Sequence, residues 1–233
     1  MEPFHQNPDV SSAHIKAATY NKYADFIAEL ENSNHTVYDY GHSNPVEFVD
    51  MIANHSDCDY LSVKIFPGHL SREKLEQLLA SAAVVIFLRR NPLHSYISVK
   101  IAHKLAVWGG RDTSDIKISI DEASYIKWNN DNWLFMEASK AIVKEHNVAH
   151  IDLQYEQLLN MDVALETIRQ SLSDRNIYLE TGRTMRKNPQ VQDSRKSAID
   201  KVTNVEDLYE LTKKFRIEHL IDNNESVMDY EKL

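Results

Sequence analysis

Residues 83 to 88, Ala-Val-Val-Ile-Phe-Leu, are a wholly apolar run that stops at Arg89 and Arg90 and is followed by Asn91 and Pro92. The run reads as a buried strand. Beyond it the pattern becomes helical, from Pro92 to about Trp108, with Leu93, Tyr96, Ile97, Ile101, Leu105 and Trp108 on one face. Two further strands are expected. "YLSVKIF" (60–66), bounded by Pro67-Gly68, precedes a helix over 71–81, and "VAHIDL" (148–153) precedes helical segments at 155–160 and 162–174. Strands alternating with helices predict an α/β fold of three layers, a mostly parallel sheet flanked by helices. Ligands of such sheets gather beyond the carboxyl ends of the strands, which makes residues 89–98 the first candidate site.

The remaining elements follow from caps and periodicity. Ser71 suits an N-cap, and "SIDE" (119–122) has the spacing of a capping box opening a long helix to about His146. Helices are also expected from about Ala13 to Glu31, over "PVEFVDMIANH" with Pro45 near its first position, and over 204–217. The stretches 32–45 and 109–119 read as loops, and 181–202 as a polar basic loop. With 233 residues and no internal repeat, one domain spanning 1–233 is expected, its last helices within 204–233.

A formal net charge of −9 argues against a general nucleic-acid or anionic-membrane binder, while leaving room for a local basic pocket. No apolar stretch approaches the roughly 20 residues that span a bilayer. The single cysteine, Cys58, and the lack of a secretory signal predict a cytoplasmic protein. Eleven histidines include no pair with convincing ligand spacing, so no metal is expected.

At the strand–helix junction Asn91 suits the N-cap and Pro92 the first helical position, where its missing N–H costs nothing. Such a helix start offers unpaired N–H groups and a positive dipole end, a natural seat for an anion. Arg90 can fork onto phosphate oxygens, and Ser98 lies about 9 Å along the helix axis from Pro92. The chemistry requested is phosphate recognition. On spacing alone, ordinary loop chemistry and a serine bonded to its own backbone are the commoner reading.

The segment "LRRNPLHSYISVKIAHKLAVW" (88–108) closely resembles the 3′-phosphate-binding segment of sulfotransferases, an arginine after a strand with a serine eight positions later. The likeness is nearest to bacterial carbohydrate and lipopolysaccharide sulfotransferases. "SVKIFPGHL" (62–70), "DLQYEQLL" (152–159) and "VQDSRKSAIDKVTNVEDL" (191–208) resemble further stretches of that family in the same order. The resemblance implies a P-loop NTPase-like fold and a sulfuryl donor, 3′-phosphoadenosine-5′-phosphosulfate (PAPS). It implies that Arg90 and Ser98 hold the 3′-phosphate, with Arg186, Lys187, Arg195 and Lys196 as candidates for a basic loop closing over it. The acceptor would be a hydroxylated small molecule, a carbohydrate in the first instance, with neither nucleic acid nor metal involved. A homo-oligomer is open.

The family's glycine-rich loop for the 5′-phosphosulfate has no counterpart here, since Gly68, Gly109 and Gly110 have the wrong neighbours. "MEPFH" resembles the Glu-Pro-Phe motif that follows that loop in bacterial members, so the chain is expected to open just downstream of it. By resemblance Glu2 would be the general base, with His5 as a substitute. Lys64 and His69 flank the end of the expected strand 60–66, where Lys64 could meet a sulfate oxygen and His69 the acceptor. A snorkelling lysine and a loop histidine fit those residue types as well. The acceptor is expected against loops 32–45 and 109–120, with Trp108, Trp128 and Trp133 as sugar-stacking candidates or core residues. Two other readings stand beside the enzyme: a non-catalytic remnant binding a 3′-phosphoadenosine nucleotide or a partner protein, and another nucleotide-dependent enzyme of P-loop architecture.

Overall fold

The computed structural model describes residues 37–54, 61–106, 112–155, 161–174, 177 and 197–222. Among them are seven α-helices and a two-stranded parallel sheet: α1 (Val37–Ser43), α2 (Pro45–Asn54), α3 (Arg72–Ala80), β1 (Val84–Arg89), α4 (Pro92–Leu105), α5 (Glu122–Glu145), β2 (Ala149–Gln154), α6 (Met161–Ser173) and α7 (Val205–Phe215). The protein is thus a mixed helix–strand molecule. The chain divides into two compact units: Met1–Ala83 with Leu134–Val148, and Val84–Trp133 with Ala149–Leu233.

In the first unit, α3 carries Leu75, Leu78 and Leu79 as a buried stripe at helical spacing. Its N-cap is Ser71, as the sequence predicts, whose hydroxyl accepts from the Lys74 N–H at 3.4 Å. The Lys74 ammonium donates to the Ser43 carbonyl and so ties α3 to the end of α1. His146 Nε2 lies 3.1 Å from Glu76 and joins α3 to the chain just beyond α5. Helix α1 corrects the loop expected over 32–45. Its turn brings Tyr40 edge-on to Phe48, centroids 6.5 Å apart, and a Cβ at Gly41 would approach Phe48 to 3.2 Å.

The expected strand 60–66 does not form: the described residues 61–66 carry no ladder. The β-branched and aromatic residues there favour a pleated surface only where a partner strand offers one. Instead Leu61, Val63 and Phe66 are exposed.

In the second unit β1 and β2 pair in parallel, Val84 opposite Ala149 through Arg89 opposite Gln154. A parallel pair needs a long crossover, and the chain between the strands holds α4 and α5. Side chains alternate across the sheet. Ile151 and Leu153 pack with Leu172 of α6, joined by Val84, Ile168 and Ile177. On the opposite face Phe87 is buried with its ring 5.9 Å from that of His150, and Arg89 pairs with Asp152 at 2.5 Å.

The main core of this unit joins α4, the start of α5 and the C-terminal segment. Leu93, Ile97, Leu208 and Leu220 are wholly buried, with Tyr96 set edge-on to Tyr125 at 5.4 Å and Trp128 at 5.8 Å. Each such side chain stabilises by about 1.5–3 kcal/mol through burial. Ile118 bridges to Val202, and Asn204 clasps Ile120 by accepting from its N–H and donating to its carbonyl, both at 2.8 Å. That clasp holds 118–120 outside the helix, so the cap of α5 is Asp121, which accepts from Ser124 N–H at 2.7 Å, and not Ser119. The loop expected over 109–120 is accordingly anchored in the core at Ile118 and Ile120.

Candidate functional site

The two arginines that end β1 have separate tasks. Arg89, the last strand residue, is taken up by Asp152 across the sheet. Arg90, the next residue, is half-buried with its guanidinium 4.4 Å from the centre of the Tyr155 ring. Tyr155 directly follows β2, so the paired carboxyl ends of the two strands bring cation and ring together. Stacking on the ring face limits the side chain's rotamers.

Asn91 caps α4 as predicted, its side chain accepting from the His94 N–H at 3.2 Å. The cap is less of an anion seat than the sequence suggests. Asn91 is 4% exposed and donates to the Leu220 carbonyl at 3.0 Å, while Pro92, Leu93 and His94 are buried behind it. His94 Nε2 lies 3.0 Å from the Ile221 carbonyl and must therefore donate. Its Nδ1 then accepts from the buried Lys201 ammonium, 3.4 Å away. The N-terminal turn of α4 is thus bonded to the C-terminal segment. Ser98 lies two turns further along and is half-buried, one turn from Ser95 on one side and from the buried Ile101 on the other.

In the first unit, Lys64 and His69 gather around one aromatic ring. The Lys64 ammonium lies 4.6 Å over Phe66, and the His69 ring meets Phe66 edge-on at 5.1 Å. The arrangement is local in origin. Pro67 and Gly68, with Gly68 at φ 83°, make the corner of a type II turn closed by the His69 N–H to Phe66 carbonyl bond at 3.1 Å. In return the Phe66 N–H donates to His69 Nδ1, also at 3.1 Å. His42 stands edge-on to His69 with ring centroids 6.5 Å apart. Burial, then the neighbouring charges of His42 and Lys64, push His69 down to about 4, and burial lowers Lys64 below its ordinary value.

Of the other residues singled out, Glu2, His5, Arg186, Lys187, Arg195 and Lys196 lie outside the described residues. So do Trp108 and the helices expected over 13–31 and, apart from Tyr155, over 155–160. Trp128 belongs to the core, whereas Trp133 is 42% exposed. Sequence reasoning did not single out His94, Lys201 or His42, and it gave Tyr155 only as part of the stretch 152–159. A Tyr-Glu pair after a strand was the one signal available for Tyr155.

Among the described residues there is no cluster of three or more His, Cys, Asp or Glu able to hold a metal ion. Nor, among them, is any helix long and apolar enough to cross a membrane. Comparison with family models, with curated proteins and with solved structures returned no match.

Proposed function

We propose that this protein is a PAPS-dependent sulfotransferase that moves a sulfuryl group to a hydroxyl of a carbohydrate or similar acceptor, within a three-layer, P-loop-like α/β fold. The observation that carries the reading is Arg90: a guanidinium at the carboxyl end of a parallel strand, braced on Tyr155, immediately before a capped helix that bears Ser98. Ligands of parallel sheets collect at that end, and a forked donor there suits a phosphate monoester. Arg90 and Ser98 hold the 3′-phosphate of the nucleotide in this reading, and Glu2 is the base that the family resemblance implies. A cytoplasmic location goes with this reading.

The test is calorimetry on the full chain with 3′,5′-adenosine bisphosphate and with 5′-AMP. The bisphosphate is expected to bind at least tenfold tighter, and Arg90→Ala to abolish the difference. Equal affinities, or a preference that survives Arg90→Ala, overturn the assignment.

A second reading, a non-catalytic chain that binds the same nucleotide, draws on the α4 cap. Asn91 and His94 direct their polar groups to the Leu220 and Ile221 carbonyls, as a purely structural helix start does. Bisphosphate binding without sulfuryl transfer to any sugar in an acceptor panel favours that reading.

A further inference from the structure

The middle of α5 carries a run unusual for a helix interior, Trp128-Asn129-Asn130-Asp131-Asn132-Trp133. Asparagine and aspartate side chains compete with the backbone for hydrogen bonds, so such a run weakens a helix unless each residue is otherwise engaged. Two of them are engaged within the helix. Asp131 takes the Lys127 ammonium one turn back at 2.6 Å, and Asn132 donates to the Trp128 carbonyl at 2.7 Å. Among the described residues, neither the Asn129 nor the Asn130 side chain has a hydrogen-bond partner.

The tryptophans at the two ends of the run point different ways. Trp128 packs into the core, its ring edge-on to Tyr96 at 5.8 Å. Trp133 lies about 140° further round the helix axis. Its side chain is 42% exposed. Helical spacing sets Asn129 and Asn130 one turn behind Trp133, on the same face. Asn130 is exposed and Asn129 half-buried. Further back on that face, Glu122 is taken up by the Lys214 ammonium at 2.5 Å. From Glu122 to Trp133 the face therefore offers a flat ring and two carboxamides, with its one carboxylate already paired. All these residues belong to one compact unit.

We infer that Trp133, Asn129 and Asn130 form a saccharide-binding platform on the surface of α5. A pyranose ring has an apolar face of C–H groups and a rim of hydroxyls. The indole covers the first with a large, rigid apolar surface. Each carboxamide offers a carbonyl acceptor and two N–H donors, the mixture that neighbouring hydroxyls, which both donate and accept, require. An anionic ligand would call for an available cation, and this face has none. A protein partner would call for apolar neighbours around the indole, and both residues one turn back are polar. An exposed platform meets one face of one ring, so binding falls in the millimolar range. That the saccharide is the sulfuryl acceptor rests on the sulfotransferase reading; the platform itself does not.

The experiment is NMR of the nitrogen-labelled full chain, titrated to millimolar concentration with cellobiose, maltose, lactose and chitobiose in turn. At least one sugar is expected to shift the Trp133 indole N–H and the Asn129 and Asn130 carboxamide signals while leaving the Trp128 indole unmoved. Trp133→Ala is expected to weaken its binding about tenfold, and Trp133→Tyr, which keeps a ring, by less than about threefold. Asn129→Ala combined with Asn130→Ala is expected to weaken it several-fold. Leu134→Ala, beside the platform and also exposed, is expected to leave binding unchanged. Melting temperatures matching the parent's keep a folding defect from passing as lost binding. A Trp133 indole unmoved by every sugar overturns the inference, as does binding that survives Trp133→Ala. Equal losses in Leu134→Ala and Trp133→Ala overturn it too and assign the patch to a protein partner. No nucleotide enters these titrations, so their failure and the failure of bisphosphate binding at Arg90 are read separately.

Discussion

The Lys201 ammonium sits 3.4 Å from Nδ1 of His94, and both side chains are buried. His94 has no freedom in how it satisfies this neighbour. Its Nε2 is committed to the Ile221 carbonyl, so the lone pair that Lys201 needs is on the other nitrogen. The pair fastens the helix that follows Arg90 to a segment more than a hundred residues further along the chain. His94 itself stands in α4, four residues after Arg90 and four before Ser98.

Breaking one partner therefore strands the other in a dry interior. Lys201→Met and His94→Leu are each expected to cost about 1–3 kcal/mol of stability, because each leaves a buried polar atom unsatisfied. The double variant is expected to cost less than the two together, with a coupling of about 1–2 kcal/mol measured by urea unfolding. Strict additivity would show that the two nitrogens do not interact.

Tyr155 makes a separate prediction about binding. Tyr155→Phe keeps the ring under Arg90 and is expected to bind 3′,5′-adenosine bisphosphate as the parent does. Tyr155→Ala removes the brace, worth about 0.5–1 kcal/mol, and is expected to weaken binding roughly two- to fivefold. Calorimetry decides. If both variants bind like the parent, the stacking has no role in presenting Arg90.

His69 predicts a pH dependence of stability. Its folded value is pushed down to about 4 from an ordinary 6.5, so the unfolded chain takes up a proton that the folded chain refuses. The unfolded state binds more protons between those two values, and stability must rise with pH across that window. The contribution is complete above about pH 6.5 and lost progressively as pH falls toward 4. Allowing for solvent screening of a half-buried ring, it is about 1–2 kcal/mol. Urea unfolding near pH 4.5 and pH 7 measures the difference, and His69→Gln is expected to reduce it. An undiminished difference in that variant assigns the pH dependence to other groups.

Ala106 ends α4 in the left-handed conformation, with φ 51°, a region that glycine enters without a Cβ penalty. Ala106→Gly is expected to raise stability by about 0.5–1 kcal/mol, visible as a higher melting temperature. At Gly68, where φ is 83°, the reverse change to alanine is expected to lose a similar amount. It would also disturb the turn that presents His69. A neutral or stabilising Gly68→Ala would show that the turn is not strained by a side chain there.

What local chemistry encodes was legible from the sequence alone. The strand before Arg90, the Asn91 cap, Pro92 at the helix start and the Ser71 cap depend on residues within a few positions of one another, and they stand where the sequence places them. The Pro67-Gly68 corner is of the same kind. The strand read at 60–66 failed because a strand is a relation between two segments, and its apolar residues do not reveal whether a partner is present. Ser119 failed as a cap for a similar reason. Asn204, 84 positions away, holds Ile120 in an extended conformation and passes the cap to Asp121.

The sequence by itself determined where helices start, where a turn must bend and that an arginine stands at a strand's end. These follow from φ preferences, missing or unpaired N–H groups and side chains acting over one turn. Only the tertiary structure decided what each polar group meets: Arg90 the ring of Tyr155, Arg89 the carboxylate of Asp152, His94 the ammonium of Lys201. Side-chain chemistry states what a group can bind. Which partner it finds depends on segments far apart in the chain being packed together, and that is settled by the burial of apolar surface they share.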